Sequence, residues 1–278
     1  MEGSPFDADR LCGLANRLGV QLDLVEKSEW KLVNERDVKM GCMLPEMTMA
    51  DGLCLEPFVP GFNDPQYADG VHKVLSSALD LASQNGIASI IVFTGMGTNE
   101  DESEQYNKIV KGFIEPIDGR ESLIKKAERL QVTFMMEMLN TNGDEKTWRG
   151  HPGYLGNSTN KLVEKVIKPV NSSRLRLAFD IYHVAMMRED PLEMIENHHE
   201  FIGNVQVAGM TEGNANRGEI TAEGQMIRYA DVFSKLREKL PGGGKGIPVL
   251  LEYIPNSKVP ETVRDDLESA INVCDESI

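Results

Sequence analysis

The feature that most limits the fold of this sequence is the regular alternation of short apolar runs with longer amphipathic stretches. The apolar runs have the length of strands, and several are almost wholly apolar, as is typical of parallel strands covered on both faces. Strands that alternate with helices predict a parallel sheet with right-handed crossovers. The predicted strands are residues 21–25, 38–44, 89–95, 132–139, 175–183, 204–209 and 248–254.

The stretches between these runs predict helices with one apolar face. Between residues 67 and 84, apolar side chains recur at the 3-4 spacing of a helix until Gly86 ends the pattern. Asp190 followed by Pro191 predicts the N-cap and first position of another helix. The chain opens on a predicted helix, so seven strands accompany eight helical regions. An open, doubly wound sheet accommodates seven strands and a barrel needs eight, so periodicity leaves both architectures open.

Composition limits the class of protein. The 278 residues show no linker or shift in composition, so we expect one α/β domain over 1–278. There is no apolar run of about 18 residues and no signal-peptide pattern, which predicts a cytoplasmic protein without a membrane span. The four cysteines form no CxxC pair, which indicates reduced thiols. A formal charge of −15 disfavours nucleic-acid partners and anionic membranes.

Four of the apolar runs carry a polar residue close to their carboxyl ends. These residues are Glu137, Asp180, Gln206 and Glu252. A buried carboxylate is costly unless something pairs with it, and the carboxyl ends of barrel strands meet at the face where barrels hold their active sites. Three carboxylates and an amide oxygen predict one divalent metal, Mg2+ or Mn2+, with Co2+ as a further candidate. For each residue alone, a salt bridge to a neighbouring Lys or Arg is the alternative.

Two histidines lie next to these positions in the sequence. His183 is three residues past Asp180, and His151 lies in the loop that follows Glu137. Each is a candidate hydrogen-bond partner for a substrate oxygen. The alternative for each is a loop histidine with a structural or solvated role, and the sequence leaves both interpretations open.

At these residues the sequence resembles the hydroxypyruvate isomerase family, within the xylose isomerase-like TIM barrels that also include tagatose and psicose 3-epimerases. The resemblance implies a (β/α)8 barrel whose first strand is missing from this chain. It implies that Glu137, Asp180, Gln206 and Glu252 bind the metal. The matching segments follow the family order over nearly the whole chain: residues 6–15, 60–65, 136–140, 180–183, 205–209, 218–220 and 251–255.

The resemblance also implies a reaction. The metal would polarise a carbonyl or hydroxyl of a small sugar, ketose or hydroxy-keto acid and stabilise a cis-enediolate. Glu137 and Glu252 would be the catalytic residues that exchange a proton with neighbouring carbons, and which of them is the base stays open. His183, and His151 if its loop reaches the site, would contact the substrate. We expect a small carbohydrate substrate and leave homo-oligomerisation open.

The loop after Gln206 departs from the family pattern. The family carries Gly-Arg-His-Glu there, whereas residues 211–219 place Arg217 as the nearest substitute for the substrate-binding arginine. Hydroxypyruvate is the substrate that this change most disfavours, because an arginine is expected to hold its carboxylate. The alternatives are a sugar-binding barrel without turnover and a lyase or dehydratase of the same superfamily. An apurinic endonuclease is disfavoured by the five histidines and the acidic charge.

Overall fold

A computed structural model describes residues 6–142, 150–211, 214–244, 246–253 and 255–277. Within them, six parallel strands form one sheet in the order β1-β4-β5-β6-β7-β10. These strands are β1 (Cys42–Met43), β4 (Ser89–Val92), β5 (Thr133–Glu137), β6 (Leu175–Asp180), β7 (Ile202–Val207) and β10 (Val249–Leu251). Two antiparallel hairpins pair β2 (Met47–Thr48) with β3 (Cys54–Leu55), and β8 (Gly209–Thr211) with β9 (Asn214–Gly218).

Helices follow the strands as predicted. In the helix that precedes β4, the predicted stripe is largely buried, and Gly86 follows its end with φ of 68°. The Asp190 carboxylate accepts a hydrogen bond from the Leu192 N–H at 2.9 Å, which confirms the predicted N-cap. Among the helices of the described residues, none combines the length and apolar content that a membrane crossing requires. The helices are α1 (Ala8–Leu18), α2 (Trp30–Glu35), α3 (Ala68–Gln84), α4 (Glu102–Ile114), α5 (Leu123–Leu130), α6 (Thr159–Leu162), α7 (Lys168–Val170), α8 (Ile181–Met186), α9 (Pro191–His198), α10 (Tyr229–Lys239) and α11 (Pro260–Ser277).

The predicted strand at residues 21–25 is reduced to a single parallel pairing between Leu22 and Met40. The Asp23 carboxylate accepts from the Cys42 N–H at 2.6 Å, and Leu24 has φ of 53°. A side-chain acceptor and a left-handed residue thus make the pairing irregular, although the Leu24 N–H still donates to the Cys42 carbonyl at 2.9 Å. The opposite edge strand, β10, pairs only with β7 among the described residues. The prediction that Met1–Pro5 do not supply the first strand concerns residues outside the described ranges.

The two faces of the sheet have different neighbours because side chains alternate along each strand. In β5, Phe134 and Met136 pack into the large core beneath the helices. Met135 points the other way, into a small apolar cluster with three residues of neighbouring strands: Cys42, Ile91 and Ala178. Glu137 shares the face of Met135, and Asp180 shares that of Ala178, so both carboxylates lie at the rim of this small cluster.

Substitution of Phe134 tests how much this side chain contributes to the packing of the larger core. Its side chain is fully buried, and its ring centroid lies 5.4 Å from that of Phe113 on α4. We expect Phe134→Ala to lower the free energy of unfolding by about 3–5 kcal/mol, because it removes a large apolar group and leaves a cavity. Urea denaturation followed by circular dichroism measures the change.

Met226 is the matched control for this substitution, since 57% of its surface is exposed. Met226→Ala should change the free energy of unfolding by no more than about 0.5 kcal/mol. Equal losses in the two variants would contradict the assignment of Phe134 to the core.

Candidate active site: a carboxylate cluster at the strand ends

The four residues predicted as metal ligands lie on adjacent strands at one face of the sheet. Glu137 ends β5 and Asp180 ends β6, and the register places Asp180 opposite Gln206 of β7. Glu252 follows β10 directly, and its N–H donates to the Val207 carbonyl at 3.0 Å. Because neighbouring parallel strands end together here, the structure brings all four positions to the same rim.

Asp180 places His183 in the cluster through a helix cap. One Asp180 oxygen, Oδ1, accepts from the His183 N–H at 3.1 Å and so caps the first turn of α8. The His183 ring then lies with Nε2 3.7 Å from Glu137 Oε1 and 3.8 Å from Asp180 Oδ2. One ligand atom from each of these three buried residues lies within 4.8 Å of the others. The resemblance assigns His183 to the substrate, whereas its position here also suits a metal ligand.

The neighbours of His183 determine its tautomer. Its Nε2 lies 2.7 Å from Arg217 Nη2, and a guanidinium can only donate, so Nε2 accepts. The ring proton is therefore assigned to Nδ1, which lies 2.6 Å from Asn140 Oδ1 and donates to it; the Asn140 N–H, 3.1 Å from the same nitrogen, favours the other tautomer but is the longer contact. Burial and the nearby Arg217 charge hold the His183 pKa well below its usual range. His183 thus presents a neutral imidazole lone pair to the cluster.

Arg217, on β9, inserts its guanidinium among the carboxylates. Nη2 donates to Asp180 Oδ2 at 2.6 Å, and Nη1 lies 3.2 Å from Glu252 Oε2. The guanidinium carbon also lies 5.0 Å from the Tyr182 ring centroid, within the range of a cation–π contact. Burial alone would lower the Arg217 pKa, but Asp180, Glu252 and Glu137 raise it above its usual value. Arg217 is therefore a permanent cation in the cluster.

The two glutamates predicted as catalytic residues differ in depth. Burial raises the Glu137 pKa well above its usual range, and the charges of Glu252 and Asp180 raise it further. Burial also raises the Glu252 pKa, against the opposing effect of Arg217. The Glu252 side chain is 34% exposed and that of Glu137 is 7% exposed. One carboxyl group with a raised pKa therefore lies deep in the site, and the other lies at its opening.

The donor atoms fit a divalent cation. Gln206 is fully buried, and neither its Oε1 nor its Nε2 makes a hydrogen bond of good geometry, although the amide helps to lower the Glu137 pKa. A buried amide without a partner is costly, and a bound ion is one means of satisfying it. The Gln206 oxygen, the Glu137 and Asp180 carboxylates and the His183 nitrogen form the mixed O/N set that divalent metals accept. Glu252 differs from these residues, since its near oxygen faces Arg217.

His151 also lies near the cluster. Its N–H donates to the Asn140 carbonyl at 2.7 Å, and its ring centroid lies 6.1 Å from that of His183. The other side of the ring packs against Phe58, with the centroids 4.4 Å apart. Asn140 was not predicted as the partner of His183, although it is a polar residue just past the end of β5. Phe58 was not predicted either, because its loop position carries no pattern.

Comparison with known proteins agrees with this architecture. A family model described as the xylose isomerase-like TIM barrel matches residues 39–273. The chain belongs to this family. The expected (β/α)8-type class is thereby confirmed, while membership of the hydroxypyruvate isomerase subfamily stays a prediction. No curated protein matches the sequence at a significant level.

Solved structures of this TIM-barrel type are similar over most of the chain. The 3-keto-D-glucoside 4-epimerase YcjR from E. coli has a TM-score of 0.70 at 12% identity, with 98% of this chain and 97% of that chain covered. An IolI protein with a zinc atom has a TM-score of 0.68 at 14% identity, with 97% and 94% covered. An AP endonuclease, family 2, from Brucella melitensis has a TM-score of 0.67 at 18% identity, with 91% and 90% covered. Identities this low establish the shared fold alone.

Gln206 provides a test of the metal centre. We expect Gln206→Met to change the free energy of unfolding of the metal-free protein by less than about 1 kcal/mol, because removal of a poorly satisfied buried amide is offset by loss of its favourable effect on the Glu137 carboxylate. The same change should weaken Mn2+ binding by roughly 10–100-fold, because a ligand oxygen is lost. Urea denaturation and isothermal titration calorimetry measure the two effects.

Asn204 is the matched control on the same strand, since its buried amide also makes no hydrogen bond in the structure. Asn204→Leu should raise the free energy of unfolding by about 1–3 kcal/mol, because its amide has no such contact, and should leave Mn2+ affinity unchanged. An unchanged Mn2+ affinity in Gln206→Met would show that Gln206 is not a ligand.

Proposed function

We propose that this protein is a divalent-metal-dependent isomerase or epimerase of a small sugar or ketose. The observation that carries the proposal is the arrangement of Glu137 and Glu252. Their strands, β5 and β10, flank the two strands that carry Asp180 and Gln206. Two carboxyl groups with raised pKa values therefore stand on either side of a cluster fit for a cation, which is the arrangement that a proton transfer between substrate carbons needs.

The residues of this chain would divide the reaction between them. A carboxylate, Glu137 or Glu252, takes the proton from the carbon next to a substrate carbonyl, giving an enediolate. In an isomerisation the same group or the opposite one returns the proton to the neighbouring carbon, while the hydroxyl proton passes to the former carbonyl oxygen. In an epimerisation the opposite carboxyl group donates a proton to the other face of the same carbon. The single lone pair on His183 Nε2, once Arg217 no longer donates to it, would either bind the metal or accept a hydrogen bond from a substrate hydroxyl. A divalent metal bound at the centre would supply Lewis-acid polarisation of the substrate oxygens.

The family and the similar structures support this class of reaction. The xylose isomerase-like family includes this chain, and the structures similar to it include a 3-keto-D-glucoside 4-epimerase and an IolI protein with zinc. A carbohydrate substrate is favoured over a nucleic acid because the formal charge of −15 repels a phosphate backbone. Hydroxypyruvate is less favoured than a neutral ketose, since residues 211–219 lack the Gly-Arg-His-Glu pattern whose arginine is expected to hold its carboxylate.

Label exchange tests the function directly. The protein is incubated in deuterated water with ketoses, aldoses or hydroxypyruvate, each with Mn2+, Mg2+ or Co2+, and products are identified by NMR. We expect deuterium at a carbon next to the carbonyl and an isomeric or epimeric product. A dehydrated product would assign a lyase instead, and substrates that bind but take up no label would indicate a binding protein without turnover.

Substitution of Glu252 tests the mechanism. Glu252→Gln keeps an oxygen but cannot accept a proton, so turnover at saturating metal should fall by about 10²–10⁴-fold. Asp180→Asn should instead weaken metal binding, and excess metal should restore part of its activity. Steady-state assays over a range of metal concentrations separate these effects.

Glu261→Gln, at an exposed position of α11, is the matched control and should keep native turnover. Near-native turnover of Glu252→Gln at saturating metal would show that Glu252 is not the acid or base.

A further inference from the structure

Arg217 uses the same atoms that a metal at this centre would need. Asp180 has two oxygens, of which Oδ1 caps α8 and Oδ2 accepts from Arg217 Nη2 at 2.6 Å. His183 has two ring nitrogens, of which Nδ1 pairs with Asn140 and Nε2 accepts from the same Nη2 at 2.7 Å. His183 therefore keeps no free lone pair while Arg217 is in place, and each Asp180 oxygen already accepts a hydrogen bond.

The charges lead to the same conclusion. Arg217 lies against Asp180 and Glu252, and its charge also acts on Glu137, so one guanidinium offsets three carboxylates. A divalent cation bound to Asp180 Oδ2 would lie within a few ångströms of Nη2, where two positive charges repel strongly in a partly buried site. The centre has the ligands to hold either cation but not both at once.

We propose that Arg217 is an internal cation that competes with the divalent metal, so that the metal binds only when the guanidinium has left Asp180 and His183. The inference concerns the metal of the proposed function and rests on it. It makes Arg217 a determinant of metal affinity, in addition to any contact it makes with a substrate.

The exchange requires movement of the Arg217 side chain rather than of its strand. The hairpin is held at its base, where Gly209 pairs with Gly218 and a Cβ on Gly209 would meet the Glu219 carbonyl oxygen at 2.1 Å. The Glu219 carboxylate accepts from the Asn256 N–H at 2.7 Å and ties the hairpin to the segment after β10. The guanidinium, at the end of a flexible side chain, can turn away while this base stays in place.

Metal titration of variants tests the proposal without an activity assay. Mn2+ is titrated calorimetrically into metal-stripped wild type, Arg217→Gln and Arg217→Lys. We expect Arg217→Gln to bind Mn2+ at least about tenfold more tightly than wild type, because the competing charge is gone. Arg217→Lys keeps the charge but lacks the fork that bonds two partners at once, so a gain of about threefold is expected. Arg228→Gln makes the same charge change at an arginine that is 77% exposed, and its affinity should equal that of wild type.

Thermal denaturation supplies the second readout. Without metal, Arg217→Gln should have a lower melting temperature than wild type, because three carboxylates lose their compensating cation. Saturating Mn2+ should raise the melting temperature of Arg217→Gln more than it raises that of wild type. If Arg217→Gln does not fold, the Arg217→Lys titration decides alone. Unchanged or weaker Mn2+ affinity in the folded variants overturns the proposal. In that case, label exchange by the wild-type protein would still support the proposed function. Tighter metal binding by the variants without label exchange by the wild-type protein would contradict the proposed function and leave the Arg217 proposal intact.

Discussion

The compensation of buried carboxylates is the constraint on which the rest of this site depends. Glu137 and Asp180 are 5% and 1% exposed, and such groups are stable in an apolar setting only beside a cation or a full set of donors. Parallel strands that end together force these side chains into one volume, and a cation in that volume offsets their charge. In this structure the cation is the Arg217 guanidinium, delivered by a hairpin that follows β7, and the same volume has the donor set of a metal centre.

The surroundings hold this arrangement in place. The Tyr154 hydroxyl donates to the Glu137 carbonyl at 2.9 Å and accepts from the Thr94 N–H at 3.1 Å, which ties the ends of β5 and β4 together. A Cβ on Gly61 would lie 2.0 Å from the Thr94 carbonyl oxygen, so only glycine allows that loop to pass so closely. Groups that exchange protons with a substrate need positions this well supported, because small displacements reduce the rate.

The fold was largely predictable because its signals are local. Strand-length apolar runs, the helical stripe of α3 and the Asp190 cap each depend on a few neighbouring residues, and each led to an observed element. The prediction failed at residues 21–25, where the Asp23 carboxylate bonds the Cys42 N–H and makes the pairing irregular. That bond joins residues 19 apart in the chain, so no window of local periodicity contains it.

The sequence by itself determined which polar residues end the strands, because a carboxylate or amide that closes an apolar run is visible in the run itself, as for Glu137 and Asp180. Only the tertiary structure decided what these groups face. Arg217 meets Asp180 across 37 residues of chain, and Asn140 orients His183 across 43. Distances and burial decide the tautomer of His183 and the depth of Glu137 relative to Glu252. The proposed competition between the Arg217 guanidinium and a metal depends on them as well. Those quantities arise only when separate strands and a hairpin pack together.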